Sequence, residues 1–199
     1  MIDVPVGNTY DKEGATTPIE RRLVSGFTKA FLDLVPSWPA TILEVGCGEG
    51  SQLRKLSSHL SDVTLVGLDL PAPSLAERWD GIDAAMVFGT AEHLPFPDGS
   101  FDLVVALEVF EHLEDPEVGL REMCRVGRGR VVLSVPREPI WRIGNALRGR
   151  YLRDAGNTPG HLQHFSSSAF EQFAARHLDL EEVRRPIPWT MLAGTPRTT

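Results

Sequence analysis

Thr41-Ile42-Leu43-Glu44-Val45-Gly46-Cys47-Gly48-Glu49-Gly50 is the stretch on which the fold turns. Thr41 to Val45 form a short, apolar, β-branched run that ends directly on glycines, which predicts a buried strand. Leu53, Leu56 and Leu60 follow at helical spacing. A strand that turns through glycines into a helix is the opening unit of a layered α/β fold. Glycines at that turn let the backbone bend sharply and approach a ligand without Cβ interference.

Working outward, short apolar runs alternate with helical patterns. Thr64 to Leu68, Ala84 to Phe88, Phe101 to Leu107 and Arg130 to Val135 read as further strands, the third preceded by the turn Pro97-Asp98-Gly99-Ser100. Helices are predicted from the capping box at Thr17-Pro18-Ile19-Glu20 to about Val35, and from Asp115-Pro116 through Leu120, Met123 and Cys124. This alternation means a parallel sheet covered on both faces. Beyond Pro136 the pattern changes. Residues 137–160 read as an insertion on the substrate side, with Ile140, Ile143, Leu147 and Tyr151 on one amphipathic face. Residues 166–177 look helical, and Leu180 to Arg184 with Trp189 to Ala193 suit a closing β-hairpin. Residues 1–199 are expected to form one domain, with 1–16 as a mobile N-terminal lid.

Asp69 ends the second strand, 19 residues after Gly50. A carboxylate there is placed to accept both hydroxyls of a ribose. The dinucleotide fingerprint Gly-x-Gly-x-x-Gly is not matched, because Ser51 stands where its third glycine belongs. A nicotinamide oxidoreductase therefore stays open at this point as an alternative.

Bulk composition sets few limits. The chain has 42% hydrophobic and 24% charged residues, ordinary for a globular domain. It shows no run of apolar residues long enough for a membrane span, and Met1-Ile2-Asp3-Val4-Pro5 lacks a signal-peptide pattern. With two cysteines, Cys47 and Cys124, no disulfide framework is expected and a reducing cytoplasm is the default. A net charge of −7 speaks against a general nucleic-acid binder. Yet residues 121–153 hold nine arginines against Glu122 and Glu138, a local +7. That asymmetry is the mark either of a solvated face or of a side that meets an anionic acceptor.

Three motifs taken together resemble the class I S-adenosylmethionine (SAM)-dependent methyltransferase family, in the branch that includes ubiquinone-type and other small-molecule methyltransferases. They are the glycine loop with Asp69, the run Gly89-Thr90-Ala91-Glu92-His93-Leu94-Pro95-Phe96-Pro97-Asp98-Gly99-Ser100-Phe101-Asp102, and Glu108-Val109-Phe110-Glu111-His112-Leu113. The resemblance covers roughly residues 40–135. It implies a Rossmann-like, mostly parallel seven-stranded α/β sheet with an antiparallel C-terminal strand, and SAM as cofactor. It further implies that Gly46, Cys47 and Gly48 run beside the methionine moiety, with Glu44 ordering that loop. Asp69 would grip the ribose, Leu70 would lie against the adenine, and Ala91 would offer it a backbone amide. Leu107 and Glu108 would line the site. Thr90 stands where the family often has an aspartate, which leaves the group facing the adenine amine open.

Glu108, Glu111 and His112 are spaced i, i+3 and i+4, so one helical turn would place them on one face. Two carboxylates and an imidazole suit a divalent cation, and His161 is the candidate fourth ligand. The arrangement also resembles metal-dependent small-RNA 2′-O-methyltransferases and the metal site of ubiquinone-pathway O-methyltransferases. Without a metal, His112 is the expected general base, with His161 and His164 behind it. The function implied is methyl transfer from SAM to a small-molecule, glycan or lipid-intermediate acceptor. RNA 2′-O-methylation is the alternative. Trp38, Trp79, Trp141 and Trp189 are read as packing residues.

Overall fold

The computed structural model describes residues 17–147 and 156–197. Thirteen elements follow in chain order: α1 (Pro18–Leu32), β1 (Thr41–Val45), α2 (Ser51–His59), β2 (Thr64–Asp69), α3 (Pro73–Arg78), β3 (Ala85–Phe88), β4 (Phe101–Leu107), α4 (Pro116–Val126), β5 (Gly127–Pro136), α5 (Ile140–Leu147), α6 (Ser167–Ala174), β6 (Leu178–Arg184) and β7 (Trp189–Pro196). The expected lid over residues 1–16 lies outside the described residues, as do residues 148–155 of the insertion.

The seven strands form one sheet in the order β3-β2-β1-β4-β5-β7-β6. β1 to β5 pair in parallel, and β7 enters antiparallel between β5 and β6. The strand order reverses between β1 and β4. Ligands of open α/β sheets bind in the crevice beyond the carboxyl ends at such a switch point. Gly46 and Glu108, the residues that follow β1 and β4, flank that crevice.

Strand alternation builds two cores. Leu43, Val45, Val104 and Leu133 point to the face covered by α4 and α6, through Leu120, Met123, Phe170 and Phe173. Ile42, Leu103, Val105 and Val132 point to the opposite face, covered by Phe27 and Phe31 of α1 and by Leu53 and Leu56 of α2. Each such side chain contributes about 1.5–3 kcal/mol by leaving water. Phe27 also meets the Trp189 ring edge-on at 4.8 Å, which ties α1 to the first residue of β7.

Helix starts follow the sequence signals. Thr17 and Glu20 complete their capping box, and Asp115 accepts the N–H groups of Glu117 and Val118 at the start of α4. α2 differs, because its N-cap is Gly50 in the left-handed conformation with no side-chain cap. Its first N–H groups therefore have no capping side chain from the N-cap residue. No helix among the described residues is long and apolar enough to cross a membrane.

α5 forms within the insertion, but it turns Trp141 and Asn145 inward and leaves Ile140 and Ile143 exposed. Trp141 Nε1 and Asn145 Nδ2 both donate to Thr158 Oγ1, and Asn145 also donates to the Gly156 carbonyl. The two flanks of the insertion are thus stapled together by polar bonds, which decides which helix face is buried.

Candidate active site

The cofactor end is built on three glycines. Gly46, Gly48 and Gly50 all adopt positive φ (70°, 52° and 75°), which side chains with a Cβ resist. The Gly46 and Cys47 N–H groups donate to the Leu68 carbonyl at 2.7 and 3.1 Å, fastening the loop to β2. Asp69 then divides its carboxylate. Oδ2 accepts the Gly48 N–H at 2.6 Å and Oδ1 accepts the Leu70 N–H at 2.7 Å. On the outer side, Trp79 Nε1 donates to the Gly48 carbonyl at 2.8 Å.

Electrostatics at this end are set by burial. Burial raises the Asp69 pKa, and the Gly48 and Leu70 N–H groups oppose it. Cys47 is pushed far above the usual thiol range by burial and then by the Glu44 and Asp69 carboxylates. Glu44 itself is buried at the end of β1. Leu70, next to Asp69, is half-buried, and Ala91 is buried. Thr90 Oγ1 accepts the Glu92 N–H, while the Glu92 carboxylate accepts the Asp115 N–H. Glu92 is therefore occupied in holding the start of α4.

The second half of the site begins where Leu107 ends β4 and corrects one expectation. Residues 108–112 form a tight turn instead of a helical turn, with Glu108 in the left-handed region at φ 59°. Glu108 leaves the expected four-residue group, because its Oε1 accepts the Trp189 indole N–H at 2.5 Å. Glu111, His112 and His161 do converge, with candidate ligand atoms all within 4.8 Å of one another.

Backbone bonds explain how His161 arrives from so far along the chain. The Leu162 and Gln163 N–H groups both donate to the Glu111 carbonyl, at 2.7 and 3.0 Å, and Gln163 Nε2 donates to the Leu113 carbonyl. This docks the segment after the insertion onto the 108–113 turn. His112 Nδ1 lies 2.9 Å from the Gly160 carbonyl. A carbonyl only accepts, so Nδ1 carries the proton and Nε2 of the neutral ring keeps its lone pair.

His161 lies edge-on to His112 at 5.0 Å and stacks on Trp141 at 6.2 Å. Burial, then the neighbouring His112, depress its pKa to about 4, so the His161 ring is neutral near pH 7. His164 sits at the surface and bonds Asn157 Oδ1 at 2.8 Å. Trp79, Trp141 and Trp189 all touch this site, although the sequence reading made them packing residues. Nothing in local spacing signals such contacts, and Trp189 reaches Glu108 across 81 residues.

The arginine-rich stretch is redistributed by the fold. Arg125 pairs with Glu122 and Asp98, Arg128 with Asp102, and Arg130 with Glu181 and Glu182. Arg128 and Arg130 stand at the amino end of β5, opposite the crevice. These three guanidiniums hold loops and strands together rather than facing an acceptor. Arg137 and Arg142 are on the crevice side, and Arg148, Arg150 and Arg153 lie outside the described residues.

Residues 43–134 match the family described as "Methyltransferase domain". Over these residues the chain is similar to the class I SAM-dependent methyltransferases. Among this chain's curated relatives, ajmaline N-methyltransferase of Rauvolfia serpentina is 35% identical over 105 residues, 49% of this chain and 35% of that protein. A demethylmenaquinone methyltransferase of Beutenbergia cavernae is 35% identical over 129 residues, 63% of this chain and 53% of that one. The uncharacterized methyltransferase YcgJ of Bacillus subtilis is 29% identical over 174 residues, 78% of this chain and 66% of the relative. Its crystal structure superposes with a TM-score of 0.61 at 24% identity, covering 79% of this chain and 70% of that one. The chain thus spans between about a third and two thirds of these relatives' lengths. The family match also sets aside the nicotinamide alternative.

Proposed function

We propose that the chain transfers the methyl group of SAM to a small-molecule acceptor held beside His112. The observation that carries this reading is the pair of half-sites flanking the switch point. On one side the Asp69–Gly48 clasp closes a glycine loop, and on the other the Gly160 carbonyl holds His112 Nδ1, which makes Nε2 the ring's basic position. A carboxylate has about four lone-pair sites. Two on Asp69 hold backbone N–H groups, and the others accept the ribose hydroxyls. Leu70 and Ala91 supply the adenine side, and Thr90 stands at its rim. Gly46 and Cys47, with Leu107 and Glu108 opposite, border the methionine moiety.

The reaction is an in-line displacement. The acceptor nucleophile forms a bond to the methyl carbon as the sulfur–carbon bond breaks. Its electron pair returns to sulfur and leaves S-adenosylhomocysteine (SAH), while the acceptor proton passes to His112 Nε2. Since the sulfonium is already activated, holding acceptor and methyl in line supplies most of the acceleration. Residues 137–147 and 156–160 form a wall of the acceptor site, and the names of the N-methylating and quinone-type relatives support a small molecule.

A second reading uses the same residues. Glu111, His112 and His161 suit a divalent cation by their chemistry. His161 is neutral, as a ligand imidazole must be, and the Gly160 carbonyl orients His112 with Nε2 available. A cation there would act as a Lewis acid on an acceptor oxygen.

One experiment tests both readings. The full chain is incubated with methyl-labelled SAM and a panel of amines, phenols, quinols, carboxylates and short RNAs, with and without excess EDTA. Acceptor-dependent SAH formation by the wild type, falling about 10²- to 10⁴-fold in His112→Gln at unchanged SAM affinity, supports the base role. Turnover abolished by EDTA and restored by manganese or magnesium assigns the three residues to a cation instead. SAM binding without transfer to any acceptor class contradicts the proposed activity.

A further inference from the structure

Gly48 is held at both of its backbone polar groups by side chains from outside its loop. Its N–H is taken by Asp69 and its carbonyl by the Trp79 indole N–H, at 2.6 and 2.8 Å. Fixing the N–H orients the peptide plane before Gly48, and fixing the C=O orients the plane after it. Together they set both torsions at a left-handed glycine, the residue with the most conformational freedom to lose.

Trp79 is itself fixed. It ends α3, and its ring packs against Phe88 at 4.6 Å between centroids. Phe88 stands in register with Asp69 across the β2–β3 pair. One residue earlier, Arg78 pairs with the Glu49 carboxylate. Arg54 bridges the same two segments, donating to the Glu49 carbonyl at 2.9 Å and the Arg78 carbonyl at 3.3 Å. The end of α3 is thus latched onto the cofactor loop at two consecutive residues, Arg78 and Trp79.

We propose that Trp79 is a positioning residue for the cofactor. Its indole N–H pre-orders Gly48, and with it the loop that meets SAM, so that the ordering cost is met before the ligand arrives. The role rests on the reading of the glycine loop as the SAM site. Trp79 acts through Gly48 and touches no reacting atom.

The test uses the full chain and SAH as probe. Trp79→Phe keeps a ring against Phe88 and removes the donor. Loss of one hydrogen bond should weaken SAH binding about 3- to 10-fold by calorimetry. The KM for SAM should rise by the same factor, with kcat at saturating SAM retained. In ¹⁵N spectra, the indole N–H signal absent from Trp79→Phe should shift when SAH binds to the wild type. A packing role predicts an unmoved signal. If Trp79→Phe proves unfolded, the wild-type indole signal decides by the same criterion. Equal SAH affinity in the two proteins, or an indole signal indifferent to SAH, overturns the proposal. A wild type that binds neither SAM nor SAH overturns the cofactor reading itself.

Discussion

Gly48 and Asp69 are joined by a 2.6 Å hydrogen bond from backbone N–H to carboxylate, across 21 residues of sequence. That bond links the loop after β1 to the end of β2, and it forms while Asp69 is nine-tenths buried. A buried carboxylate is costly unless its lone pairs are met. Two backbone N–H groups meet part of that demand, and in the proposed function a ribose diol would meet the rest.

Gly46 sets how closely the β1 loop approaches the β4 turn. A Cβ at Gly46 would lie 2.5 Å from Val109 Cγ2, at a φ of +70°. Gly46→Ala should cost about 2–4 kcal/mol, combining backbone strain with overpacking. Adding Val109→Ala should recover the steric part alone, leaving the backbone part in chemical denaturation. Full recovery would show that the left-handed conformation matters little, and no loss would show that the two loops are not in contact.

The two thiols should be inert in the native state. Burial pushes Cys124 up to about 12 and Cys47 still higher, so neither forms appreciable thiolate at pH 8. An aromatic disulfide reagent should label both slowly in native protein and rapidly after unfolding in guanidinium. One equivalent reacting within the mixing time would contradict the burial of the cofactor loop.

Acid stability should report on Glu122. The Arg125 guanidinium, with help from the Leu94 N–H, holds its carboxyl below the ordinary 4.5. A folded pKa below the unfolded one gives stability that is fully present above about pH 4.5 and lost as pH falls through the folded value. Glu122→Gln should therefore lower Tm at pH 7 by roughly 4–8 °C, for about 2 kcal/mol lost. The gap to wild type should narrow as pH drops below 4.5. A gap independent of pH would mean that the carboxylate's charge is not what holds the 94–98 loop.

What was legible in sequence follows the reach of each interaction. β1 and β4 take the bounds read from sequence, Thr41–Val45 and Phe101–Leu107, because buried apolar runs between turn residues carry their own limits. α3 escaped, being short and set among Pro71 and Pro73. The spacing of Glu108, Glu111 and His112 allowed a helix without requiring one. The bond from Trp189 that occupies Glu108 is tertiary and leaves no local trace. Arg130 likewise looked available for an anion until the fold brought Glu181 and Glu182 beside it. His161 was found by residue type alone, and the Leu162 and Gln163 bonds to the Glu111 carbonyl supply the reason it arrives.

The most direct test of the account is calorimetric titration of SAM into wild type and Asp69→Ala. Asp69 accepts the Gly48 N–H of the loop and the adjacent Leu70 N–H, and hydrogen bonds to a charged group are worth roughly 1.5–3 kcal/mol each. The wild type is expected to bind SAM saturably at one site. Asp69→Ala should still melt cooperatively and bind about 10- to 100-fold more weakly. Equal SAM affinity in both proteins would contradict the assignment of the Gly48–Asp69 clasp as the cofactor site.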